Sequence, residues 1–255
     1  ELPNTNFTKE SSIGHFLEYF LGEEIVRKQI APVLAGVYSG DLYQLSLNST
    51  LPYLVDYKNE YGSIMKGFEA NRAQFEKAAN KKFISFKGGL SALIDRLEET
   101  LPEVEFMKNT AIQAVEKQGE HYCVVLGNET LIADIVVLAT PNETVSTVLQ
   151  DAGLRTQLEK FTTASALTMY VGFDVADRML PADGTGFIVS HNSDLVCNAS
   201  TWTSRKWKHT SSEGNLLVRL FYKNINPRYE ELAAMTDEQL TEVALGDIKL
   251  SLGIE

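Results

Sequence analysis

The sequence predicts an α+β protein built from three units, and three observations carry that reading. Up to Lys82 the apolar residues recur at helical spacing, at Phe83 the period changes to two, and long strand-like runs then lead into a well-capped helix. The expected boundaries are 1–82 for a helical unit, 83–141 for a unit with a β-meander, and 142–255 for an antiparallel sheet with helices.

The helical unit opens at Ser12, a cap for a run in which Ile13, Phe16, Leu17 and Phe20 share one face, and Gly22 closes it. A second helix carries Ile25, Val26 and Ile30, meets Pro32, where the missing N–H should break or kink it, and continues to Gly40. Thr50, Leu51 and Pro52 read as the next helix start, and GSIMKGFEANRAQFEKAANKK as a further helix.

In the middle unit KFISF reads as a strand, Gly88 and Gly89 as a turn, and LSALIDRLEETL as an amphipathic helix ended by Pro102. VEFM, TAIQAVE, HYCVVLG, TLIA and DIVVLATP follow as strand-like pieces, and the Gly- and Asn-bearing turns KQGE and GNET pair the middle three as an antiparallel meander. DIVVLAT has β-branched residues on both parities, the pattern of a strand covered on both faces. Beyond Pro141, NETVSTVLQDAG and LRTQLEKF read as helices, and ASALTMYVGFDV, GFIVSH, DLVCNAST and NLLVRLFY as strands. Thr236 and Gln239 form a capping box ahead of the last helix.

Composition narrows the function. The 255 residues carry 23 Lys and Arg against 34 Asp and Glu, a formal net charge of −11, with 44% hydrophobic and 22% charged residues. This is a soluble, globular composition, and the acidic sum excludes a nucleic-acid surface, which needs clustered cations. No apolar run approaches the ~20 residues of a bilayer span. Cys123 and Cys197 are too few for a disulfide framework and fit a reducing, cytoplasmic setting. The start ELPNTNF has neither an initiator Met nor a signal-peptide pattern, so the chain reads as a piece of something longer.

Generic chemistry motifs are missing. The four histidines occupy four different elements with no Cys or carboxylate at ligand spacing, and there is no nucleophile elbow, phosphate loop or complete G-x-G-x-x-G. Gly88-Gly89 would let a ligand approach a helix start, but alone the pair is weak and a plain strand-to-helix turn is the better reading. DIVVLATP, ending in small residues, offers accessible backbone at a sheet edge, where cofactors bind in α/β folds, though by itself such a run is more often structural.

Taken in order, GVYSGDLYQLSLNSTLP, EYGSIMKG, FISFKGGLSALIDRLEETL, DIVVLATP and NASTWTSRKWKHTSSEGNLLVRLFY resemble the central part of the FAD-dependent protoporphyrinogen oxidases, closest in character to the soluble Gram-positive enzymes acting on coproporphyrinogen. GVYSGD and TWTSRKW are the most specific blocks; FKGGL and VVLATP recur through the wider amine-oxidase-like flavoproteins.

The resemblance implies that residues 1–82 are similar to a membrane-associating helical unit, 83–141 to part of an FAD-binding domain, and 142–255 to a substrate-binding domain. It places Ile112, Ala139 and Thr140 against FAD. Gly36 would line a porphyrinogen pocket, offering room and a carbonyl for pyrrole N–H groups, with Met169 and Asn198 on its floor. Trp202 and Trp207 read as packing anchors rather than ligand contacts. The family's terminal flavin-binding segments have no counterpart here, and NLLVRLFYKNINPRYE lacks the glycine that commonly follows this strand.

The implied chemistry is three two-electron oxidations of a porphyrinogen, each followed by reoxidation of the flavin by O2, with no dedicated acid–base residue and no metal. Glu18, Glu23 and Glu24 against Arg27 and Lys28 limit membrane contact of the first helices to weak, peripheral attachment. Two other readings stand beside this one. GGL and VVLATP would serve a phytoene-desaturase-like flavoprotein equally well, and a chain without its own phosphate loop could be a non-enzymatic docking module.

Overall fold

The computed structural model describes the chain except for residues 1, 2, 5, 39, 80–82, 191, 192, 212, 213 and 255. It separates into two compact units, Glu1–Lys87 with Ala164–Glu255, and Gly88–Thr163. The helical segment and the later sheet thus fall in one unit, whereas the sequence reading divides the chain after residues 82 and 141.

Helix α1, Ile13–Leu21, begins where the Ser12 hydroxyl accepts from the His15 N–H and stops at Gly22. It is followed by α2, Glu23–Ile25, a π turn at Val26–Ile30, and α3, Ala31–Tyr38. The wide turn ends two residues before Pro32, which has no N–H and whose ring crowds the carbonyl four residues back; the helix absorbs both by widening rather than breaking. Helices α4, Tyr53–Tyr61, α5, Ile64–Ala70, and α6, Arg72–Ala79, complete this segment. Its core gathers Ile13, Phe16 and Leu17 of α1 with Val26, Leu47, Leu54 and Ile64.

In the second unit α7, Ser91–Glu99, precedes a three-stranded meander of β1, Ala114–Gln118, β2, His121–Leu126, and β3, Glu129–Ala133. Both pairings are antiparallel, as the two turns dictate. Helices α8, Asn142–Val148, and α9, Ala152–Leu158, follow.

Three expected strands do not form. Within KFISF, Lys82 lies outside the described residues and 83–86 pair with no strand, Phe83 being 86% exposed; VEFM is irregular; and residues 135–139 are likewise in no strand, with Ile135 80% and Val137 83% exposed. β-Branched residues favour an extended backbone, but a strand also needs a neighbour to bond with. None of the described residues provides one beside these runs.

The first unit resumes with β4, Ala166–Ala176, β5, Gly186–Ile188, and β6, Ala199–Trp202. The short α10, Thr203–Lys206, then leads to β7, Asn215–Lys223, followed by α11, Tyr229–Ala233, and α12, Asp237–Leu252. The sheet is antiparallel in the order β4-β7-β6-β5. Leu216, Val218, Leu220 and Tyr222 of β7 point to one face, where Ala244 and Ile248 of α12 and the Trp202 ring close a core; Leu167, Met169, Val171 and Phe173 of β4 join it. Successive side chains alternate faces, so Arg219, Phe221 and Lys223 stand on the other side of the sheet.

Helix α12 carries the expected capping box: Thr236 Oγ1 accepts from the Gln239 N–H, and Gln239 Oε1 accepts from the Thr236 N–H at 3.0 Å. Thr236→Ala should lower stability by about 1 kcal/mol, read as a lower denaturant midpoint at unchanged slope.

Candidate functional site

On the face of the sheet opposite its core lies a cleft of about 590 Å³. Val33, Gly36 and Val37 of α3 form one wall, β4 and β5 with β6 contribute others, and Arg219, Phe221 and Lys223 of β7 rise from the floor, with Lys206 of α10 at the side. At Gly186 the backbone approach is so close that a Cβ would fall 2.1 Å from the Ser200 carbonyl oxygen, and its φ of +149° also belongs to glycine. That position therefore lets β5 lie tightly against β6 and shapes the cleft wall.

Lys223 ties the cleft together. Its residue is 5% exposed, yet no carboxylate meets it among the described residues; its Nζ donates to the carbonyls of Ala35 at 2.7 Å and Gly36 at 2.8 Å. Those are two of the last four carbonyls of α3, which have no partner within the helix and sit at the negative end of its dipole. Burial pushes the Lys223 amine below its usual range. The Lys223 N–H is held in turn by Asn198 Oδ1 at 2.7 Å.

The segment before Asn198 is anchored by a buried carboxylate. Asp247 of α12 accepts from the N–H groups of Val196 at 2.7 Å and Cys197 at 2.8 Å, and from the Tyr222 hydroxyl at 3.1 Å. Burial, with Asp247 beside it, drives the Cys197 thiol well above its usual range, which keeps it protonated and unreactive.

The six residues singled out by the sequence separate clearly. Gly36 lines the cleft, although its carbonyl is engaged by Lys223; the room remains, since a Cβ there would meet only Ile188 Cδ1, at 3.5 Å. Met169 lies on the core face of β4, away from the cleft, because its parity matches Leu167 and Val171. Asn198 serves the backbone of β7 through its side chain. Ile112, Ala139 and Thr140 are all exposed in the second unit, Ile112 just ahead of β1 and the other two just ahead of α8. Sequence reasoning misses Arg219, Lys206 and Lys223. One signal was available: a lone cation inside the apolar run LLVRLFY, followed by Lys223 at its end.

Comparison with known proteins decides the family. The model for flavin containing amine oxidoreductases matches residues 1–255. The chain belongs to that family. The flavin amine oxidoreductase chain is 29% identical to the coproporphyrinogen III oxidase of Bacillus subtilis over 99% of its own length and 55% of that protein's. It is 28% identical to the Staphylococcus aureus enzyme of the same name, over 93% of its own length and 53% of that protein's. It therefore spans about half the length of the curated relatives it matches. A crystal structure of a provisionally assigned protoporphyrinogen oxidase from Exiguobacterium sp. 255-15 superposes with a TM-score of 0.81 at 32% identity, covering 96% of this chain and 52% of that one. Putrescine oxidase, at 13% identity, 96% coverage of this chain, 50% of its own and a TM-score of 0.66, shares the fold.

Membership of this family carries a flavin, and the second unit offers a surface suited to contact it. Among the described residues the N–H groups of 135–140 have no hydrogen-bond partner, and the run ends in small, exposed Ala139 and Thr140. Open backbone donors beside small side chains fit one edge of a dinucleotide; the phosphate-cradling glycine loop is not part of this sequence.

Two outcomes are expected at the cleft. Gly36→Ala should be accommodated, whereas Gly36→Val pushes branched carbon toward Ile188 and into the cleft, lowering turnover of the full-length enzyme while its flavin absorbance persists. For Lys223, a folded pKa below the usual 10.5 means that the unfolded chain binds more protons between the two values, so its contribution to stability rises with pH across that interval. Denaturant titrations at increasing alkaline pH should show the wild type gaining on Lys223→Met as 10.5 is approached.

Proposed function

We propose that this chain is part of an oxygen-dependent FAD oxidase that converts a porphyrinogen, protoporphyrinogen IX or coproporphyrinogen III, to the porphyrin in heme biosynthesis. The observation that carries the reading is the cleft's charge. Among the described residues its lining includes Lys206, Arg219 and Lys223 and no Asp, Glu or His, within a chain of net charge −11. The positive charge is therefore local, and it suits a ligand that is anionic and otherwise apolar. A porphyrinogen has that character, with its carboxylates on a greasy macrocycle. Names borne by the Bacillus and Staphylococcus relatives point to the same substrate class.

The volume lies within the roughly 300–1,000 Å³ of small-molecule sites. Val33, Val37, Ile188 and Phe221 supply apolar surface for the macrocycle, and the cations orient its acidic side chains. FAD, when bound, accepts the hydride that leaves the porphyrinogen, and Ile112, Ala139 and Thr140 would form one side of its site. What the described cleft residues supply is placement of the macrocycle and exclusion of water.

O2 is the second substrate, and nucleic acid has no place in the reading. Among the described residues no helix is long and apolar enough to cross a membrane. A cytoplasmic location with weak peripheral membrane contact is our reading of the acidic first helices.

The test is direct. Full-length, flavin-loaded protein given coproporphyrinogen III under air should generate porphyrin fluorescence with matched O2 uptake. Activity on a carotenoid or an amine in its place, with none on either porphyrinogen, would reassign the enzyme.

A further inference from the structure

We propose that Arg219 is the specificity-determining residue of the cleft, reading one carboxylate of the porphyrinogen through the open edge of its guanidinium. The role rests on the porphyrinogen reading given above and goes beyond it in naming the group that selects for acidic side chains.

The three cleft cations are not equivalent. Lys223 is committed to the end of α3 by its two carbonyl bonds. Lys206 is an exposed side chain whose Nζ lies 5.7 Å from the centre of the Phe83 ring. Arg219 has neither commitment. Among the described residues it meets no carboxylate, and its Nε is buried with no hydrogen-bond partner. A buried donor without an acceptor is unfavourable, and because the side chain as a whole is half-buried and lines the cleft, a turn of the guanidinium toward a ligand oxygen recovers the loss.

Geometry adds the direction. β7 is an interior strand, and its register sets Arg219 opposite Tyr170 of β4 and Thr201 of β6. The guanidinium carbon sits 4.3 Å from the centre of the Phe221 ring and 5.2 Å from that of Tyr170. Aromatic neighbours attract a guanidinium without using any of its N–H donors as hydrogen bonds to an acceptor oxygen. A carboxylate is the planar, two-oxygen acceptor that matches the fork of those donors. A lysine in the same place would supply charge without the fork, so the arginine fits recognition of one particular acid group better than general attraction.

The experiment uses the full-length, flavin-loaded enzyme and two fluorescent probes, coproporphyrin III and its tetramethyl ester. Arg219→Met should weaken binding of the acid on the order of 10- to 100-fold, the loss of a charge-assisted bond, and leave the ester unaffected. Arg219→Lys should recover part of the loss. In turnover, KM for coproporphyrinogen III should rise by a larger factor than kcat falls. Flavin absorbance of both variants reports that they fold. Equal loss for acid and ester would show that the side chain only packs, and an unchanged affinity for the acid would remove it from recognition; either overturns the proposal. A wild-type enzyme that binds both porphyrins but oxidises no porphyrinogen would overturn the functional reading beneath it instead.

Discussion

The Lys223 ammonium, bonded to the last turn of α3, joins parts of the chain 187 residues apart in sequence. Burying a charge without a counter-ion opposes folding by several kcal/mol after relaxation. Against that stand two hydrogen bonds from a charged donor, about 1.5–3 kcal/mol each, and the helix dipole, about 0.3–1 kcal/mol. The terms nearly cancel, so the bond contributes position rather than net stability. It holds α3 over the open face of the sheet, and without α3 the cleft would have no wall at Val33, Gly36 and Val37.

That contact rests on others in sequence. Asp247 fixes the chain at Val196 and Cys197, Asn198 follows and fixes the backbone of Lys223, and Lys223 fixes α3. Each member is a buried or half-buried polar group, and each has its partner. The sheet core below, with Leu216, Val218, Leu220 and Tyr222, supplies the burial energy; the polar chain supplies the register between layers.

Much of this was legible in the residues. Caps are local chemistry, so Ser12 and the Thr236 and Gln239 pair mark their helices directly. The meander follows from turn residues at Gly119 and Gly127, again a local matter. The runs around Phe83 and Ile135 were not readable in the same way, because whether an extended segment becomes a strand depends on what lies beside it. Met169 shows a related limit: composition names a strand, but its parity relative to the core decides which side chains a ligand could meet. Arg219 and Lys223 gain their meaning only once β7 is flanked by β4 and β6 and crossed by α3, since charge in a strand says nothing of its distant partners.

The π turn at Val26–Ile30 has an effect beyond accommodating a proline. An extra residue in a helix advances everything after it by about 100° around the axis. Val26 can therefore sit in the core of the helical segment while Val33 and Val37, further along, look onto the sheet. One surplus peptide unit thus acts as a phase shifter, letting a single helical path serve two neighbours in different directions, and removing it would rotate the cleft's wall out of alignment without changing any residue in it.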